Sequence, residues 1–195
     1  FEASVFVDSI AETVRHLAVN KNGDLYAKFK RPSEAGVIAA IRDSNNDGIA
    51  DSLVKFGEYH MPQKGNYSTA ARIYKGYLYY SSQLTVYRIK LDEKKMVPTG
   101  KPEIIVHDDH SHGSHEHIGK PIAFDEKGSI YVPFGAPNNA CQNPKRTPFV
   151  PGQDPCPLLI DHGGIWRFDA EKVGQTQKDG EFYASGLRSI VALDW

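Results

Sequence analysis

Five of the eight histidines in this 195-residue chain stand within eleven residues, His107 to His117, in the order HDDHSHGSHEH. Imidazole exchanges a proton near neutral pH and is the commonest ligand of divalent metals, so the cluster reads as a metal site, a solvated loop or the approach to an active-site base. A second run, RDSNNDGIADS, sets oxygen donors on alternate residues: Asp43, Asn45, Asp47, the Ile49 carbonyl and Asp51 take positions 1, 3, 5, 7 and 9 of a calcium loop, with Gly48 at the turn. Val54 stands where an EF-hand would carry its bidentate glutamate. The run therefore points to a weak structural calcium site between strands, with a polar Asn/Asp turn as the competing reading. The two cysteines, Cys141 and Cys156, lie fifteen residues apart in the Pro-rich stretch ACQNPKRTPFVPGQDPCP. They form either a disulfide or two free thiols. A bridge would place the protein outside the reducing cytoplasm, in the periplasm or secreted.

These groups must be carried by a scaffold, and the scaffold is written as a repeat. RHLAVNKNGDLYAKF (15–29), TAARIYKGYLYYSS (69–82) and KPIAFDEKGSIYVPF (120–134) each read as a strand, a turn centred on Gly and a second strand with an aliphatic residue before Tyr. The tyrosines, Tyr26, Tyr79 and Tyr131, are spaced by 53 and 52 residues. Two further strand-like runs follow each hairpin: GVIAAIRD and DSLVKFG, LTVYRIKL and PEIIVHD, GGIWRFD and GEFYASG. Apolar periodicity stays near two and Gly or Pro interrupts every longer segment, so almost no helix is predicted. The fold class is all-β: β-propeller blades of four antiparallel strands. Blade one covers about 10–60, blade two about 65–108 and blade three about 117–185, with 186–195 as the start of a fourth. FEASVFV reads as an outer strand left over from a neighbouring blade, and GLRSIVALDW as the first strand of the next. Three blades and two orphan strands do not close a ring, which predicts that further blades continue beyond residue 195.

Composition narrows the partners. Twenty-three Lys and Arg against 24 Asp and Glu leave a net charge of −1, without the basic footprint that nucleic acid or an anionic membrane requires. No apolar run approaches the roughly 18 residues of a spanning helix. The opening residues resemble no signal segment, and the expectation is a soluble, mature or trimmed chain.

HIGKPIAFDEKGSIYVPFGAPNNAC and GGIWRFDAEKVGQTQKDGEFYASGLRS resemble the soluble pyrroloquinoline-quinone (PQQ)-dependent sugar dehydrogenases, the glucose and sorbosone dehydrogenase family. The resemblance runs over essentially the whole chain. It implies a six-bladed propeller of which this chain is roughly the first half. In that family the histidine opening the third inner strand is the general base that takes the proton of the sugar's anomeric hydroxyl. His117 holds this place, thirteen residues before the Ile130-Tyr131 pair. An acidic residue precedes the base in the family, and Glu116 fills that position; a carboxylate on one ring nitrogen would fix the tautomer and support the imidazolium. The family's Gly-x-Arg arginine stabilises charge developing on the quinone oxygen, and Arg188 matches it. Arg188 and the next residue would contact the cofactor. That next residue is Ser189, followed by Ile190, where the family has Asn and Pro, and NYSTAARIY (66–74) lacks a glutamine that the family carries near its second blade.

Two functional readings follow. One is an oxidoreductase that oxidises an aldose or related polyol with PQQ and calcium and passes electrons to an external acceptor such as a c-type cytochrome. The other is a non-catalytic, calcium-stabilised propeller that binds carbohydrate or protein. A metal-dependent lactonase-type propeller is disfavoured, because no acidic ligand set accompanies the histidines at matching inner-strand positions. Within HDDHSHGSHEH, residues 107–109 are read as the end of an outer strand and 110–115 as a solvated crossover with adventitious transition-metal affinity. Glu116 and His117 are assigned to the next inner strand.

Overall fold

A computed structural model describes residues 3–57, 70–110 and 117–195. The first repeat forms β1 (Val14–Val19), β2 (Leu25–Ser33), β3 (Gly36–Arg42) and β4 (Ser52–Phe56), an antiparallel sheet in the order β1-β2-β3-β4. The second forms β5 (Ala71–Tyr74), β6 (Tyr77–Ser81), β7 (Thr85–Lys90) and β8 (Glu103–His107). The third forms β9 (Ala123–Phe124), β10 (Ser129–Phe134), β11 (Gly164–Asp169), β12 (Gln175–Thr176) and β13 (Glu181–Ser185). Its sheet has the order β13-β11-β10-β9, and the remaining sheet the order β12-β8-β7-β6-β5. The chain is all-β, in the up-and-down four-stranded pattern of propeller blades. Among the described residues the helical segments are two short 3-10 turns, Pro157–Ile160 and Gln177–Asp179.

By their internal contacts the residues divide into two compact units, Phe1–Ser82 with Tyr87–Glu103, and Gln83–Val86 with Ile104–Trp195. In the first unit, β3 shows how alternation builds a core. Ile38 and Ala40 enter one buried cluster with Tyr26, Leu78 and Tyr80, while Ala39 and Ile41 enter another with Ala27 and Phe29. Successive side chains point to opposite faces of a strand, so GVIAAIR is buried on both. In the second unit Ile122, Ile130, Val132, Phe134, Trp166 and Phe168 are buried, and the Phe134 and Trp166 rings meet edge to face at 5.2 Å.

The repeat tyrosines are equivalent in structure. Each lies in the second strand of its repeat, is buried, and has its hydroxyl engaged: Tyr26 donates to the Met96 carbonyl, Tyr79 accepts from Arg88 and Tyr131 donates to Asp125. A buried phenol needs such a partner, which explains why Tyr recurs where Phe would satisfy burial alone.

Three expectations differ from what forms. The described part of FEASVFV is not a strand; Phe6 and Val7 pack on the Ala27/Phe29 cluster, and the Phe6 carbonyl accepts the Ala50 amide at 2.8 Å. Residues 186–195 carry no strand either. Trp195 instead stacks on Tyr131 with ring centres 4.8 Å apart. Finally, His117 precedes its strand rather than opening it, because β9 begins only at Ala123. Pro121 has no N–H to give a ladder, and Lys120 turns its side chain into the interior.

Candidate active site

His117 is delivered by β10. The strand ends at Phe134, and Gly135 then passes so close to His117 that a Cβ there would lie 1.9 Å from the His117 carbonyl oxygen. Only glycine permits this approach. The next residue, Ala136, faces both candidate groups with its backbone. Its carbonyl oxygen lies 2.7 Å from His117 Nδ1, and its N–H donates to the Arg188 carbonyl at 2.9 Å. Leu187 N–H in turn donates to the Gly163 carbonyl at 2.8 Å. His117 and the Arg188 backbone are therefore joined through a single residue, although 71 positions separate them (188 − 117).

The tautomer follows from this geometry. A carbonyl oxygen only accepts, so His117 Nδ1 carries the hydrogen and the neutral ring keeps its lone pair on Nε2. The tautomer-fixing partner anticipated from sequence was Glu116, which lies outside the described residues; the Ala136 carbonyl fills that role on Nδ1. His117 is half-buried, whereas Arg188 and Ser189 are exposed. A cavity of about 240 Å³ is lined by Ala136, Asn138, Leu158, Leu159, Leu187 and Arg188, with Cys141 and Cys156 at its wall; its lining includes neither His117 nor Ser189.

The cysteines form a disulfide, with Cα atoms 5.9 Å apart. It closes the base of a segment that has little core of its own and is held by polar contacts. Asn138 Oδ1 accepts the amides of Ala140 and Cys141, and Gln142 donates to the Thr147 and Val150 carbonyls. One wall of the cavity is thus covalently pinned.

The same unit holds a buried ion pair that the sequence did not announce. Lys120 Nζ is 2.8 Å from Asp108 Oδ2, with both side chains no more than 5% exposed, and the same ammonium sits 4.1 Å from the centre of the Phe134 ring. Gly135 and Ala136 were also missed, since nothing in their types signals a role that depends on a backbone atom. The residues expected to be a solvated crossover begin differently: His110 is half-buried, with Nδ1 2.9 Å from Asp108 Oδ1.

In the other unit, the 43–51 run folds as a tight turn. Asn46 and Gly48 take positive φ, 59° and 88°, which curls the backbone so that Asp43 Oδ2 accepts the Gly48 amide at 2.9 Å and Asp47 Oδ1 the Ile49 amide at 2.8 Å. Asp51 closes the loop on Ser44, whose amide and hydroxyl hold its carboxyl below the usual range. The side-chain oxygens of Asp43, Asn45, Asp47 and Asp51 thus accept from amides and hydroxyls of their own turn.

Neither a family model nor a curated protein sequence matches the chain. Solved structures do. A carbohydrate-active enzyme of family AA12 from Trichoderma reesei superposes with a TM-score of 0.63 at 11% identity, over 91% of this chain and 41% of that one. The PQQ domain of pyranose dehydrogenase from Coprinopsis cinerea, in its holo form, superposes with a TM-score of 0.61 at 14% identity, over 88% and 38%. The chain has a PQQ sugar dehydrogenase-like fold. It spans about two fifths of the length of these structures. A calcium structure of the Trichoderma reesei protein superposes equally well, with a TM-score of 0.63 at 10% identity.

Proposed function

We propose that this chain is part of a quinoprotein dehydrogenase that oxidises an aldose or related polyol, with His117 as general base. The observation carrying this reading is the His117–Ala136–Arg188 connection. It presents a basic Nε2 and sets it in one framework with a cationic side chain at the edge of a cavity. The exposed guanidinium of Arg188, which lines this cavity, suits an anionic, carbonyl-rich cofactor such as PQQ. When bound, PQQ supplies a carbonyl acceptor for two electrons.

The chain's own part is acid–base and electrostatic. His117 Nε2 takes the hydroxyl proton of the substrate, and the imidazolium so formed keeps its Nδ1–H on the Ala136 carbonyl, whose partial negative charge stabilises it. Arg188 places a fixed positive charge where negative charge accumulates. Glu116 is assigned to support His117, and Ser189 to contact the cofactor beside Arg188. The three sheets are read as successive blades, completed by blades outside these residues. Asp43, Asn45, Asp47, the Ile49 carbonyl and Asp51 are assigned to a structural calcium ion. An external acceptor such as a c-type cytochrome would take the electrons. The disulfide supports a periplasmic or secreted setting.

A second reading, a non-catalytic calcium-stabilised propeller that binds carbohydrate or protein, is favoured by two features: Ser189 and Ile190 stand where the resembled family has Asn and Pro, and NYSTAARIY (66–74) lacks the family's glutamine. The deciding experiment loads the intact protein with PQQ and calcium and follows cofactor absorbance and dye reduction on adding sugars. Turnover that is lost in His117→Ala, with quinone binding retained, is expected. Absence of both absorbance change and dye reduction would overturn the dehydrogenase reading.

A further inference from the structure

We propose that His110, Asp161 and His162 form a binding site for one divalent transition-metal ion of the zinc class. The three residues come from two separate places: His110 follows β8, and Asp161 with His162 ends the 3-10 turn that leads into β11. One ligand atom from each lies within 4.8 Å of the others. The two imidazole rings are 4.6 Å apart between centres. Asp161 stands between them, with Oδ1 2.6 Å from His162 Nδ1 and Oδ2 3.7 Å from His110 Nε2. Tetrahedral ligands at the usual zinc distances sit about 3.3 Å from one another, so closing on an ion requires side-chain shifts of about 1 Å.

What distinguishes this trio from a chance meeting of polar side chains is the group behind it. His110 Nδ1 faces Asp108 Oδ1 at 2.9 Å, and the Asp108 carboxylate is held on its other oxygen by buried Lys120 at 2.8 Å. Asp108 Oδ1 also accepts the His110 amide at 3.3 Å; with that oxygen as acceptor, His110 carries its hydrogen on Nδ1 and turns Nε2 toward Asp161. A carboxylate behind an imidazole is the arrangement that orients metal-binding histidines and raises their basicity. The ion pair with Lys120 balances the charge of Asp108. The carboxylate facing the two imidazoles is then that of Asp161, and it suits a dication.

The ligand chemistry selects the class of ion. Two imidazole nitrogens and one carboxylate oxygen match zinc and its neighbours, whereas calcium and magnesium require mostly oxygen. The side chains of His110 and His162 are 21% and 13% exposed and that of Asp161 is 50% exposed. The site is thus walled by the imidazoles, with the Phe134 ring edge on 6.1 Å from His110, and it opens on the Asp161 side, where a fourth ligand such as water can enter.

The test uses the intact protein, stripped with chelator and titrated with Zn²⁺ by calorimetry and with Co²⁺ as a visible-absorption probe. One tight equivalent is expected, with a Co²⁺ spectrum of a four- or five-coordinate ion that Zn²⁺ abolishes. Asp161→Asn, which changes a half-exposed side chain, and His162→Ala should each weaken binding at least tenfold, with the metal-free melting temperature of Asp161→Asn unchanged. Asp108→Asn, which alters a positioning residue, should weaken it while leaving one equivalent. The variant pair His112→Ala and His115→Ala should leave affinity unchanged. The proposal is overturned if no tight equivalent binds, if Asp161→Asn retains full affinity, or if the loss follows the His112/His115 pair instead.

Discussion

His117 Nδ1 lies 2.7 Å from the Ala136 carbonyl oxygen, an atom that can only accept. Gly135 approaches the His117 carbonyl so closely that its missing Cβ is a structural requirement. The neutral imidazole is therefore the Nδ1–H tautomer, and nitrogen NMR of the ring should report it as such; an Nε2–H ring would contradict the geometry. Gly135→Ala should displace His117 by about 1 Å, and a misplacement of that size costs on the order of 100-fold in turnover. Dye-reduction kinetics of the loaded protein measure the effect, and activity equal to the parent's would refute it.

The pair Arg42 and Asp24 should respond asymmetrically to substitution. Asp24 is fully buried, and Arg42, 31% exposed, holds it through two bonds of 2.6 and 2.8 Å. Arg42→Ala leaves a buried carboxylate with Asn22 as its remaining side-chain donor, and stranding a buried charge costs about 3 to 5 kcal/mol. Adding Asp24→Asn to Arg42→Ala should recover much of that loss. Urea unfolding of the single and double variants decides the matter, and equal stabilities would count against the argument.

Stability should rise with pH through Lys28. Its side chain is buried, with Nζ 3.3 Å from the Phe29 carbonyl, and burial holds its ammonium down to about 7. Between about 7 and the ordinary value of 10.5, the unfolded chain keeps a proton that the folded chain has released. The unfolded state binds more protons there, so unfolding becomes harder as pH rises, by up to about 1.4 kcal/mol per pH unit. Lys28→Met should remove this slope and stabilise the protein near neutral pH. Parallel curves for parent and variant across that window would sink the assignment.

Opening the Cys141–Cys156 bridge should cost about 3 kcal/mol, the chain-entropy value for a fifteen-residue loop. The double Cys→Ser variant is expected to melt at a lower temperature and to be cut by protease within 142–155 before the rest of the chain. Unchanged protease resistance would show that the Asn138 and Gln142 hydrogen bonds suffice on their own.

The amino-acid sequence by itself determined most of the strands and the three hairpins. Alternation in GVIAAIR, the turns at Gly23, Gly76 and Gly128 and the spacing of Tyr26, Tyr79 and Tyr131 are local instructions, satisfied within a hairpin and its neighbours. It also marked His117 and Arg188 as residues of interest. Only the tertiary structure decided what meets them. The partner of His117 is a backbone carbonyl, and any residue type can offer one, so Ala136 left no trace in composition. Gln175 of β12 pairs in parallel with Val106 of β8, a contact between segments that no alternation pattern connects. His110 was read as solvated because Ser, Gly and further His residues follow it. Its burial beside Asp161 and His162 depends on where the turn before β11 returns, and that is set by the register of β10 against β11. Strand patterns are read over a few residues, whereas a site is the convergence of side chains from distant ones.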